Sequence, residues 1–469
     1  MVRGIWCAAA LAAAGASLPA HAQEADLAQI RAEVRQLREA YEQRIQALEK
    51  RLEQAEGRAA KAEDSAARAQ SAASQSSARP AGENAFNPAL SLILQGTVAR
   101  SKQDPGSYQI TGFAPSGGEV GPAARSFSLG ESELVVSASI DPYFRGHLVA
   151  ALTPENEVEV EEAFFQTLGL GRGLTLKGGR FLSGIGYQNE IHQHAWDFQD
   201  ASLAYKAFLG GRLNDDGVQM RWVAPTDLFV ELGAELGRGR SFPATDRNRN
   251  GANAWSLFGH LGGDVGASIA WRAGLSYLHA SPRDRAFEDA DSLGNLVAQS
   301  FSGRSKLWIA DFILKWAPGG NSSVTNFKLQ GEYFRRRESG TLAYDDSGGS
   351  ALFGPLSDAF ESRQSGWYLQ GVYQFVPRWR FGYRYDRLDF GSVENGIVAN
   401  GLGPLAADFP LLMTEHNPTR HTVMLDWSPT EFSRLRLQLA SDKSRFGVTD
   451  RQALLQYIFS LGAHGAHKF

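Results

Sequence analysis

The sequence predicts an all-β transmembrane barrel of about sixteen antiparallel strands, preceded by an N-terminal α-helical coiled coil. Three observations predict it. From Phe86 to Phe469, apolar and polar residues alternate in stretches of roughly nine to eleven, the length a tilted strand needs to cross a bilayer. The joints between these stretches are mostly short and long in turn, so one rim of the barrel carries turns and the other carries loops. Glu24 to about Ser77 instead consists largely of Ala, Glu, Gln, Arg and Lys with apolar residues at heptad spacing. Composition narrows the alternatives. With no window of about 18 consecutive apolar residues and a mean hydropathy of -0.28, a helical membrane protein is excluded. A net charge of -4 from 47 basic and 51 acidic residues, without a basic run, gives no footing for nucleic acid.

Met1 to Ala22 reads as a secretory signal: Arg3 supplies the charge, Ile5 to Leu18 the short apolar core, and Ala20-His21-Ala22 the small-x-small cleavage site. Cys7, the one cysteine, leaves with it, which excludes a disulfide framework or a cysteine-based zinc site and suits an oxidising compartment. Residues 24–77 form the predicted coiled coil. Its seam runs through Leu27, Ile30 and Val34, then through Ile45, Leu48 and Leu52, weakening to alanines from Ala55 onward. The eleven-residue spacing from Val34 to Ile45 makes a stutter that relaxes the left-handed supercoil. Such a helix buries nothing alone, so self-association follows, as a dimer or a trimer on the seam alone. The segment 78–86, with Arg79-Pro80, is the linker, and 87–469 is the barrel.

Clear barrel strands are Leu228, Val230, Leu232 and Ala234 alternating with Phe229, Glu231, Gly233 and Glu235, and Leu435, Leu437 and Leu439 alternating with Arg434, Arg436 and Gln438. Sixteen candidates lie near 89–100, 127–140, 144–153, 158–168, 174–183, 217–223, 227–237, 253–263, 268–279, 305–316, 323–337, 366–375, 379–388, 419–427, 431–441 and 448–461. Short joints include Asp141-Pro142-Tyr143, Ala224-Pro225-Thr226 and Ser428-Pro429-Thr430; long ones span 101–126, 184–216, 238–252, 280–304, 338–365 and 389–418. With the helix in the periplasm the first strand runs outward, which puts every short turn in the periplasm. Trp222, Trp271, Trp316, Trp379 and Trp427 lie near short turns, where an interfacial girdle belongs. The last strand alternates to a terminal Phe469, similar to the assembly signal of bacterial outer-membrane barrels. Glu162 falls on an outward position of the fourth strand, so a bulge or a shifted register is expected there.

The passage Gly179-Arg180-Phe181-Leu182-Ser183-Gly184-Ile185-Gly186-Tyr187-Gln188-Asn189-Glu190 resembles the Gly-x-Phe-x-x-x-x-Gly-x-x-x-Glu stretch of the porin superfamily of Gram-negative bacteria, specifically the phosphate-selective porin O and P type. The resemblance implies a periplasmic coiled coil before a sixteen-stranded trimeric barrel, and passive diffusion through it. Phosphate selectivity does not carry over, because no dense lysine cluster or long arginine ladder is present. A constriction is placed by resemblance in the third long loop, at Glu190, His192, His194, Asp197 and Asp200.

Inferred lumen charges sort onto different walls: Arg380, Arg384, Arg434 and Arg436 on the thirteenth and fifteenth strands, and Glu131, Glu133, Glu159, Glu161, Glu231 and Glu235 on the second, fourth and seventh. A transverse field across a water-filled pore is the expected consequence. His192-x-His194 with neighbouring carboxylates is a candidate zinc pair, although two loop histidines are usually plain polar residues, so no metal and no cofactor are expected. The expected function is an outer-membrane porin for small hydrophilic solutes or ions, not an enzyme: no Gly-x-Ser-x-Gly element or spaced triad appears. The alternatives are a barrel-anchored tether whose coiled coil reaches toward peptidoglycan, and a TonB-dependent-receptor-like uptake protein, which requires a plug domain and about twenty-two strands. Expected partners are outer-membrane lipid and two further copies of the chain.

Overall fold

A computed structural model of the chain describes residues 88–462, apart from 118–119, 155 and 346–351. The signal segment, coiled coil, linker and terminal Phe469 lie outside the described residues.

Eighteen strands form one sheet: β1 (Ala89–Ser101), β2 (Ser126–Leu129), β3 (Ser132–Ser139), β4 (Phe144–Leu152), β5 (Val158–Thr167), β6 (Leu174–Leu182), β7 (Asn214–Val223), β8 (Phe229–Gly237), β9 (Ala254–Val265), β10 (Ile269–Ala280), β11 (Arg285–Ala290), β12 (Leu296–Trp316), β13 (Asn326–Tyr344), β14 (Leu356–Val376), β15 (Trp379–Asn395), β16 (Thr419–Thr430), β17 (Ser433–Asp442) and β18 (Asp450–Gly462). β2 and β3 both pair with β1 and are two pieces of one barrel strand, while β11 is a loop strand laid against β12. Sixteen strands therefore make the wall. Antiparallel pairing of β1 with β18, from Ser91 opposite Gly462 to Ser101 opposite Gln452, closes it. Closure leaves no sheet edge, the condition for a sheet to stand in lipid.

Alternation sets the two faces. Along β12, Leu307, Ile309, Asp311 and Ile313 point inward and are buried, while Trp308 and Phe312 point outward. The five tryptophans singled out above occupy outward positions at the short-turn end, and Trp379 and Trp427 stack at 5.9 Å. A second aromatic ring lies toward the other end, where Trp255 meets Tyr277 at 5.3 Å, Tyr277 meets Trp308 at 4.7 Å and Trp367 meets Tyr385 at 5.3 Å. Trp308 and Trp316 are eight residues apart on one strand. At about 3.3 Å per residue and a tilt of about 40°, that is roughly 20 Å of height, close to the apolar band of a membrane barrel.

Glu162 resolves as a bulge. Val149 faces Glu162 while Ala150 faces Val160, so Glu161 is the inserted residue. Val158 and Phe165 both point outward seven residues apart, which an uninterrupted strand does not permit, and Glu162 turns inward. Two boundaries move. The turn expected at Ser428-Pro429-Thr430 sits at Glu431-Phe432, because Thr430 still pairs with Ser433 past an irregularity that begins at Trp427 and contains Pro429. Much of the expected loops 280–304 and 338–365, and the start of 389–418 as far as Asn395, is strand: β12 to β15 run 17 to 21 residues, against 8 to 10 in β3 to β8.

The main apolar core lies inside the wall. The β6–β7 loop, residues 183–213, enters the barrel and carries a short helix, α1 (Leu203–Leu209), all seven residues of which are buried. Ser202 caps its start by accepting from the Tyr205 N–H at 3.4 Å, and Gly210 ends it at φ 64°. Phe208 stacks on Phe334 of β13 at 6.0 Å, with Phe113 edge-on at 5.8 Å; Tyr205 meets Phe334 at 5.0 Å.

Candidate functional site

The inserted loop is held from three sides, and its charge pattern complements each. At the centre, Glu332 of β13 accepts from the backbone N–H groups of Tyr187 and Gln188, each at 3.1 Å, and from the hydroxyls of Tyr205 at 3.0 Å and Tyr368 at 2.6 Å. These bonds fix the descending arm of the loop and α1 to the same carboxylate.

The basic wall meets the acids of the loop. Asp197 pairs with Arg380 of β15 at 3.4 Å and with Lys328 of β13, and accepts from Gln370 at 3.1 Å. Asp200 pairs with Arg384 at 3.2 Å, with Arg420 of β16 and with Lys206 of α1 at 3.0 Å. Burial alone would raise both aspartic acids; the neighbouring cations outweigh it, Lys328 and Arg380 lowering Asp197, and Arg420, Lys206 and Arg384 holding Asp200 well below the carboxylate range. The same wall also grips backbone: Arg384 donates to the Asp200 carbonyl at 2.8 Å, Arg434 to that of His194 at 2.5 Å, Arg436 to that of Trp196 at 3.0 Å and Arg336 to that of Ala207 at 3.2 Å. Arg380 and Arg436 share Asp426, at 2.6 and 2.8 Å.

The acidic wall meets the bases of the loop. His192 places Nδ1 3.0 Å from Glu161 and 3.5 Å from Glu133, and Nε2 2.9 Å from Glu162. His194 Nδ1 is 2.8 Å from Glu133, and the two imidazoles stack at 5.9 Å. Arg212 reaches Glu161 and, at 3.5 Å, Glu131. Burial would lower the His192 pKa, but its bonds to Glu161 and Glu162 prevail and push it up to about 10.

The remaining acids of that group lie elsewhere. Glu231 pairs with His260 at 2.9 Å and Arg221 at 3.6 Å; Glu235 accepts from the Gly184 N–H at 2.8 Å and from Gln219 and Ser256 at 2.6 Å each. Glu190 pairs with Arg221 rather than joining His192 and His194. Glu159 is exposed toward a polar cavity of about 600 Å³ that runs between the loop and the β1–β5 wall past Glu131, Glu161, Gln193, Arg212 and Arg240. A second cavity of about 350 Å³ lies at the short-turn end, lined by Tyr187, Glu190, Arg221, Glu231 and Arg272.

Several residues that hold the loop escaped the sequence reading: Arg212, Lys328, Glu332, Arg420 and Asp426. Arg212 lies in the loop itself; the inward parity of the other four on alternating strands was readable, but their partners lie up to 220 residues away, as for Arg420 and Asp200. The resembling stretch has local reasons for its residues. A Cβ on Gly179 would strike the Ala163 carbonyl, and Gly186 sits at φ 67° against the Glu332 carboxylate.

No family model matches the chain. A protein of Aquifex aeolicus (strain VF5), described as uncharacterized, is 32% identical over 415 residues, covering 83% of this chain and 81% of its own length. Among solved structures, the chain is similar to a loop-deletion mutant of the outer membrane protein OmpT of Vibrio cholerae, with a TM-score of 0.48 and 10% identity over 80% of this chain and 99% of that one. It is also similar to OprB of Pseudomonas putida, at 0.45 and 14% over 80% and 94%, and to an anion-selective porin of Comamonas acidovorans, at 0.44 and 9% over 80% and 99%.

Proposed function

We propose, for a chain that belongs to one family with the Aquifex aeolicus protein, an outer-membrane porin that passes small hydrophilic solutes by diffusion. The observation that carries the reading is the polar cavity of about 600 Å³ left between the inserted loop and the β1–β5 wall. A barrel that served only as an anchor has no need of a polar lumen. The loop at Glu190, His192, His194, Asp197 and Asp200 is the constriction, and the solute path skirts it on the side of Glu131, Glu159 and Glu161. On this reading the two charged walls act chiefly on the loop. Their ion pairs neutralise most of the transverse field, and the solute meets the remainder at Glu159. The short-turn rim faces the periplasm, the coiled coil extends there, and three copies assemble, in keeping with the resemblance to the porin O and P type.

A second reading, a barrel-anchored tether, is favoured by one observation: α1 and its apolar neighbours fill much of the lumen. A TonB-dependent-receptor-like protein is set aside by the sixteen-stranded wall. Liposome swelling separates the two remaining readings. Proteoliposomes of the mature chain swell in small sugars or amino acids if the lumen conducts; swelling no faster than empty liposomes leaves the tether.

A further inference from the structure

The cluster on the acidic wall is built in a way that loop fastening alone does not require. Glu131, Glu133, Glu161 and Glu162 converge from the β2–β3 junction, β3 and β5, and Arg212 is the one arginine paired with them among the described residues. Glu133 is fully buried, yet its Oε2 has no hydrogen-bond partner and lies 3.5 Å from His192 Nδ1. A buried carboxylate oxygen left without a donor is costly, and an excess of buried like charge calls for a compact cation.

We propose that Glu133, Glu161 and His192 bind one divalent transition-metal ion of the zinc class, joining the inserted loop to the barrel wall. One ligand atom from each of the three lies within 4.8 Å of the other two. Bonds of about 2 Å in a tetrahedron separate ligand atoms by about 3.3 Å. His192 Nδ1 stands 3.0 Å from the Glu161 oxygen and 3.5 Å from the Glu133 oxygen, on either side of that separation. One imidazole and two carboxylates form a donor set that zinc accepts. The surroundings also fit. Glu162 receives the other ring nitrogen of His192 at 2.9 Å and is itself fixed by the Leu182 N–H at 3.1 Å, an arrangement that orients a ligating histidine. His194 holds the second oxygen of Glu133 at 2.8 Å. The ion takes the place of the proton on Nδ1, which is released, and three protein ligands leave a fourth position for water. Sequence spacing points to His192 and His194 as the pair; the geometry instead assigns His194 to orienting Glu133.

The proposal concerns binding and does not depend on whether the lumen conducts. The test is calorimetric titration of zinc chloride into the chelator-treated, detergent-folded mature chain and its Glu133→Gln, His192→Ala and Glu162→Gln variants. One ion per chain is expected, with affinity reduced at least about 100-fold by the first two changes and about 10-fold by the third. His416→Ala, in an outer loop, should leave the titration unchanged. If the wild type takes up no zinc, or the Glu133 and His192 variants bind as the wild type does, the site is wrong. Should those variants fail to fold, cobalt(II) on the wild type decides: intense visible bands of tetrahedral coordination, abolished by zinc, support the site, and their absence overturns it.

Discussion

Glu332 gathers two backbone N–H groups and two phenols around one buried carboxylate, so its substitution exposes how the loop is held. Glu332→Gln keeps the shape but turns an amide N–H₂ toward groups that donate. We expect a loss of about 1.5–3 kcal/mol, seen as a lower thermal midpoint in detergent and as a noisier single-channel current. Asp197 and Asp200 carry a pH dependence of definite sign. Both belong to the loop, and their cationic neighbours lower them below the unfolded value of about 3.9. Their contribution is complete above that value and is lost as pH falls through the folded ones. Current fluctuations should therefore grow as pH is taken from about 5 to about 2, and Asp200→Asn should already fluctuate at neutral pH. At this scale the sequence is informative about direction: inward arginines and glutamates follow from strand parity. It is silent about partners, because the loop that pairs with them is distant in the chain and irregular.

Among the elements, α1 and the wall beneath it form an apolar interior where a solvated one would be expected. A signal for this exists in β12, where Leu307-Trp308-Ile309 and Phe312-Ile313-Leu314 are apolar on both faces. A strand apolar on both faces is covered on both. One face of β12 meets the outward belt, and the other receives the loop. Replacing residues 203–209 with a short Gly-Ser linker should remove that cover and raise single-channel conductance several-fold while the barrel still folds; unchanged conductance would place the constriction elsewhere. The wall strands were legible as elements because lipid on one side enforces alternation. Their extensions in β12 to β15 were not, since above the belt water reaches both faces and alternation lapses. The bulge at Glu161 was legible as a conflict, an acid on a lipid-facing position, which the inserted residue removes.

For the whole molecule, sixteen strands and the alternation of turns and loops were readable because closure and membrane thickness leave little freedom in strand number and length. The folding of the third loop into the barrel came only from resemblance, since its docking depends on charges spread over eight strands, β3, β5, β7, β8, β13, β15, β16 and β17. The small net charge also takes on a new sense: opposite charges are sorted to different walls, then matched by the loop between them.

The height of the wall is uneven, and this gives the barrel a front and a back. β12 to β15 continue beyond the upper aromatic ring, whereas β3 to β8 end near it. The dozen residues of β12 above Trp308 rise by roughly 30 Å at the usual rise and tilt. The long staves form a half-screen on one side of that rim, so an approach from the side of β12 to β15 is shielded while the side of β3 to β8 is left low.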